Sequence, residues 1–288
     1  MSMEATAGEH IEMDQESISP QRGPVYALFT ANIISYVGSR LTLLAIPWFV
    51  LQTTGSIMQM GITAFVSTLP LVISAFLGGV IIDRLGFKRA SVLSDIVSGI
   101  CVGVIPLLAD TVGLAFWQLL VLVFLGGLLN TPGQTARSAL VPDLATKAKI
   151  RLERANAIAD GVSRVSNFIG APLAALLIVW IGTKNLLWLD AASFLISAVL
   201  IGWQVPATRA IIAGVAGETR YFRQLGEGVR FIFSDSVLLA IIVSVMVTNL
   251  LDQALSAVVA PAYVQQIFHS PLPLGWIFGV MGGTAFVG

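Results

Sequence analysis

Charge is what this sequence has least of. Only 11% of its 288 residues are Asp, Glu, Lys or Arg, where a soluble domain carries about 25%. The net charge is +0, which removes the bulk electrostatic case for a nucleic-acid partner. There is a single cysteine, Cys101, so no intramolecular disulfide forms within the chain. The two histidines, His10 and His269, are isolated, and no metal site is expected. No phosphate-loop, hydrolase or metal motif is present, and the acids within apolar segments are not paired at catalytic spacing. An enzyme, a catalytic residue and a cofactor are therefore not expected. No filter-like loop speaks for an ion channel. Residues 1–24 lack the basic start of a signal peptide. They carry Glu4, Glu9, Glu12, Asp14 and Glu16 instead and read as a disordered cytoplasmic tail.

What the sequence has is apolar length. Hydrophobic residues make up 56% and the mean hydropathy is +0.86. A membrane-crossing helix needs about 20 mostly apolar residues. Seven runs qualify: Val25–Leu51, Met58–Ile82, Ala90–Leu108, Leu114–Thr131, Ile158–Ile181, Leu186–Val205 and Val237–Val264. A fragment, Gly275–Gly288, follows. In lipid the backbone satisfies its own hydrogen bonds, so these runs are helices or barrel strands. They are continuous and do not alternate with period two, which argues against a barrel. The expected fold class is an all-α, multi-pass membrane protein.

Lys and Arg orient it. The tail and the loops after the second, fourth and sixth helices carry thirteen of them, including Arg22, Arg84, Lys88, Arg89, Arg137 and Lys149. The loops after the first, third, fifth and seventh carry only Lys184. The basic side is expected to be cytoplasmic, with the N-terminus there and the protein in the inner or plasma membrane. Residues 25–205 then form a six-helix N-terminal bundle, and 237–288 begin a C-terminal one. Between them, 206–236 read as a cytoplasmic linker. Within it Glu218–Ser234 is amphipathic, with Phe222, Leu225, Val229 and Ile232 opposite Arg220, Arg223, Glu227 and Arg230.

A shift of 214 residues lays the first helix on the seventh. Leu41, Pro47, Val50, Gln52, Ser56 and Gly61 meet Leu255, Pro261, Val264, Gln266, Ser270 and Gly275. Such a parallel six-helix repeat places a substrate path between two halves.

The loop between the second and third helices gives these features a family. Gly79, Asp83, Arg84, Gly86, Lys88 and Arg89 stand in the pattern G-x-x-x-D-R-x-G-x-K-R. This resembles the signature loop of the major facilitator superfamily. Ala45-Ile46-Pro47-Trp48, Ala139-Leu140-Val141-Pro142-Asp143-Leu144 and Leu189-Asp190-Ala191-Ala192-Ser193-Phe194 resemble its drug- and macrolide-efflux branch. The resemblance covers Val25 to Gly288. It implies the superfamily fold, with twelve helices, alternating access and proton-coupled export, and it makes the signature loop a latch between halves. Phe87 stands where many members have a basic residue. In the fifth helix Gly161, Gly170 and Pro172 partly resemble the antiporter signature, with Ala174 and Ala175 where glycines would stand. The fourth helix has no arginine between Leu114 and Thr135, so the basic residue that many proton-coupled members place there is missing.

Ionisable residues within a bilayer are costly and face a cavity or a partner. Arg40 in the first helix and Asp252 in the seventh lie at nearly the same depth in the repeat register. They are expected to line a substrate or proton cavity, with Asp252 exchanging protons. Asp160 and Arg164 are expected to pair along the fifth helix. Asp95 and Asp190 read as end caps or polar anchors. Trp48, Trp117, Trp180, Trp188 and Trp276 read as an interfacial aromatic belt.

Two functions follow. One is proton-coupled export of drugs or other amphiphilic small molecules, with lipid, substrate and protons as partners and an oligomeric state the sequence leaves open. The other is a membrane interaction, regulatory or vestigial protein without transport. An open reading frame continuing past Gly288, with a second loop like Asp83–Arg89, would favour the first. The last run of fourteen residues reaches only about 21 Å against a hydrocarbon core of about 30 Å. The chain is therefore expected to be truncated and inactive alone.

Overall fold

The computed structural model describes residues 22–206, 226–227 and 230–287, the side chains of 75–77 and 285–287 excepted. The acidic tail and most of the amphipathic linker lie outside those residues. Eight membrane-type helices are named here in chain order: α1 Gly23–Thr54, α2 Ile57–Leu85, α3 Phe87–Asp110, α4 Phe116–Lys147, α5 Leu152–Ile181, α6 Thr183–Gln204, α7 Ser236–Phe268 and α8 Leu272–Val287. Seven are long and apolar enough to cross a membrane, and α8 is a shorter apolar helix.

The turns are short because their residues are chosen for it. Gly86 is at once the C-cap of α2 and the N-cap of α3, with φ 76° and ψ 157°. That region is essentially open only to glycine, so the signature loop is a one-residue turn. Gly182 adopts the same conformation between α5 and α6, with φ 83° and ψ 158°. Ser56 caps α2 by accepting from the Gln59 amide at 3.2 Å, and Asp235 caps α7 by accepting from the Val237 and Leu238 amides.

α1 to α6 pack as one bundle. α3 lies against α4 and α6, α1 against α6 and α5, and α2 against α4. Lipid tails give no hydrophobic drive between helices, so close approach rests on small residues. A Cβ on Gly38 of α1 would overlap Ser193 and Asp190 of α6, and one on Gly133 of α4 would overlap Ser94 of α3. Pro132 in α4 takes away the amide that would serve the Leu128 carbonyl. The Ser74 hydroxyl of α2 donates to that carbonyl at 2.7 Å, as a membrane interior requires.

α7 has no buried residue from Ser236 to Ala254. A π-helical segment, Leu255–Val259, precedes Pro261 and touches α1 and α2. α8 packs along α5. Gly55 after α1 and His269 after α7 occupy equivalent positions in the 214-residue register, and both are left-handed, with φ 64° and 53°.

Three expectations are corrected. Arg137 is not in a loop: α4 continues to Lys147, and Arg137 is 1% exposed within it. Trp48 is a core residue at 1% exposure, outside any interfacial belt, whereas Trp117, Trp180, Trp188 and Trp276 are exposed. Asp160 and Arg164 are both exposed and do not form one of the ion pairs among the described residues.

Candidate substrate cavities and buried charges

Two cavities flank the line where α1 meets α7. They share Leu43, Pro47, Gln253 and Ala257. The first, about 220 Å³, lies between α1, α5, α7 and α8 and includes Arg40, Asn167, Gln253 and Ser256 among apolar neighbours such as Phe278. The second, about 180 Å³, lies among α1, α2, α3, α4, α6 and α7. Its polar lining includes Ser39, Thr42, Ser67, Asn130, Asp190 and Gln253. An apolar wall with a few polar groups is the usual make-up of a small-molecule site.

Arg40 lines the first cavity. Asp252 is exposed and lines neither cavity. Its neighbour Gln253 borders both, because one step along a helix turns a side chain by about 100°. Arg40 and Asp252 do not form an ion pair.

Of the antiporter-like residues, Gly170 receives the Arg40 side chain: a Cβ there would meet Arg40 Cγ at 3.2 Å. Pro172 faces α8, where a Cβ on Gly279 would meet its ring Cγ at 2.7 Å. Gly161 has open space around it. In the signature loop Asp83, Arg84 and Arg89 are exposed and Lys88 is half-buried, and none of them joins an ion pair among the described residues. Gly79, one turn before Asp83, is exposed with open space beside it.

The strongest polar construction is one that the sequence reading missed. Arg137 Nη2 of α4 lies 3.1 Å from Asp95 Oδ1 of α3. The Ser197 hydroxyl of α6 donates to Asp95 Oδ2 at 2.6 Å. The Arg137 guanidinium stands 5.8 Å from the centre of the Tyr36 ring of α1, within reach of a cation–π attraction. Four helices meet at this buried pair. Asp190 of α6 is likewise 0% exposed, but its partners are hydroxyls: Thr42 of α1 donates to it, and Ser193 lies 3.1 Å from Oδ1. Neither acid is an end cap. A signal for Arg137 did exist: Ala136, Leu140, Leu144 and Ala148 recur every four residues, and all are buried. That spacing is helical.

Comparison with known proteins agrees with the geometry. Residues 28–288 match the family model of the Major Facilitator Superfamily. The chain is 30% identical to the multidrug efflux pump Tap of Mycolicibacterium fortuitum, over 92% of this chain and 67% of that protein. It is 27% identical to the multidrug efflux pump Tap of Mycobacterium tuberculosis, over 93% of this chain and 64% of that protein. Macrolide efflux protein A of Streptococcus pyogenes is 20% identical over 75% of this chain and 53% of its own length. No solved structure matches. The chain thus spans about two thirds of the length of its multidrug-pump relatives. A family match across nearly all of the spans, with the signature turn at Gly86 and the two cavities beside α1, places this chain in the Major Facilitator Superfamily.

Proposed function

We propose that the protein exports amphiphilic small molecules across the cell membrane by alternating access, driven by protons. The observation that carries this is the similarity to multidrug efflux pumps along more than nine tenths of the chain. The cavities support it. The first offers Arg40, Asn167, Gln253 and Ser256 to a polar head, with Leu43, Pro47, Ala171 and Phe278 beside an apolar body. No chemistry on the substrate is needed. Transport is a change in which side of the membrane the cavity opens to.

In this reading Arg40 belongs to the substrate cavity, and Gly170 and Pro172 set how closely α1 and α8 approach α5. The exposed Asp83, Arg84 and Arg89, with the half-buried Lys88 beside them, latch onto a partner helix when the cavity changes access. The basic ends of the helices face the cytoplasm, and with them the N-terminus. A fluorescent amphiphile such as ethidium tests the reading. Inside-out vesicles carrying the protein should accumulate it when their lumen is acidified, and adding a protonophore should stop the accumulation. Uptake equal to that of protein-free vesicles would refute export by this chain and would fit the expectation that it is inactive alone. It would favour a regulatory or interaction role in the membrane.

A further inference from the structure

α3 and α6 carry two buried acids that the fold places alike and equips differently. Each helix starts from a one-residue glycine turn of the same conformation, Gly86 and Gly182. Asp95 lies nine residues beyond the first turn and Asp190 eight beyond the second. Each is therefore about 12–14 Å into its helix. The helices run antiparallel: Ser197 reaches Asp95, while Gly103, a little over two turns further along α3, faces Ala191 and Trp188. The two acids thus sit at matching depths from opposite ends, as inverted three-helix repeats within a six-helix half would place them.

Their partners differ. Asp95 is neutralised by Arg137. Asp190 has no cation. Three ion pairs occur among the described residues, and none includes it. The ionisable groups on the helices packed against α6 are committed or placed elsewhere. On α1, Tyr36 stacks with Arg137, and Arg40 sits against Gly170 in the first cavity. On α3, Asp95 is taken by Arg137 and Ser197, Cys101 lies against Gly126, and Asp110 pairs with Lys184. On α5, Asp160 and Arg164 are exposed. Asp190 is left with Thr42 and Ser193 alone.

A fixed charge so placed is costly, as any unpaired ion in a membrane interior is. Hydroxyl partners suit a carboxyl that changes form, because a hydroxyl donates to a carboxylate and accepts from a carboxylic acid. Asp190 is also the one titratable side chain lining the second cavity. Ser39, Ser67, Asn130 and Gln253 give that cavity polar walls, and its 180 Å³ has room for several waters.

From this geometry we infer that Asp190 carries the transported proton. Its carboxylate takes a proton from hydronium in the second cavity and leaves water behind. The resulting carboxylic acid returns the proton to water once the cavity opens to the other side. The inference rests on the proton-driven reading above and names the group that reading requires.

The test compares Asp190→Asn and Asp190→Glu with the unaltered protein in the ethidium vesicle assay, alongside pH-difference infrared spectra. Asn keeps the size and the hydrogen bonds to Thr42 and Ser193, so a merely anchoring Asp190 would tolerate it. The expected result is a loss of gradient-driven uptake of tenfold or more in Asp190→Asn, with uptake kept by Asp190→Glu. A carboxyl band that titrates should disappear from the spectrum of Asp190→Asn. Unaltered uptake in Asp190→Asn, or loss only in Asp252→Asn, overturns the inference and leaves proton-driven export standing. If the unaltered protein takes up no dye, the export reading itself fails. The spectrum then decides alone, and a titrating band that persists in Asp190→Asn overturns the inference.

Discussion

Arg137 of α4 and Asp95 of α3 form an ion pair at 3.1 Å with both side chains 1% exposed. Removing one member of a buried pair strands the other charge and costs about 3–5 kcal/mol. Asp95→Asn and Arg137→Gln should each sharply lower the detergent melting temperature. The double variant should recover much of the loss, because no charge is then unpaired. Thermal unfolding of the purified proteins checks this. Additive losses in the double variant would show that the pair is not coupled.

The one-residue turn at Gly86 makes a second prediction. A side chain at φ 76°, ψ 157° costs about 1–3 kcal/mol. Gly86→Ala and Gly182→Ala share this conformation and should destabilise by similar amounts in the same melts. Gly161→Ala, with open space around it in α5, should cost nothing measurable.

α8 lies against α5 closely enough to be trapped. A Cβ on Gly275 would overlap the Ala175 side chain. In a Cys101→Ser background, Ala175→Cys with Gly275→Cys should form a disulfide under mild oxidation in membranes. Trp180→Cys with Trp276→Cys, on exposed positions, should do so far less. Equal crosslinking of both pairs would contradict this packing.

Orientation is tested by single-cysteine labelling in the same background. Lys149 and Val112 sit at opposite ends of α4, beyond Lys147 and before Phe116. Lys149→Cys is expected to react from the cytoplasm and Val112→Cys from outside, because the basic residues gather at the Lys149 end. The reverse pattern would invert the protein.

The spans and the signature turn were legible in the sequence because each is local. An apolar run of sufficient length must be helical in lipid, and a Gly between two such runs marks a tight turn. Arg137 was not legible for the same reason. Pro132, Gly133, Gln134 and Thr135 look like a helix end and mask the four-residue spacing from Ala136 to Ala148, so the continuation of α4 stands out only once Arg137 is seen buried against α3 and α6. The Leu128 carbonyl that Pro132 leaves open is served by Ser74, fifty-four residues away. Asp190 was misjudged because α6 begins at Thr183, three residues before its apolar run. An apparent end cap is therefore a third-turn residue facing α1. Gly55 and His269, at matching positions of the 214-residue register, are both left-handed.

The central claim is export, and accumulation in living cells tests it most directly. Cells producing the protein should hold several-fold less ethidium than cells without it, and a protonophore should erase the difference. Equal accumulation in both, at matched protein levels in the membrane, would contradict the account.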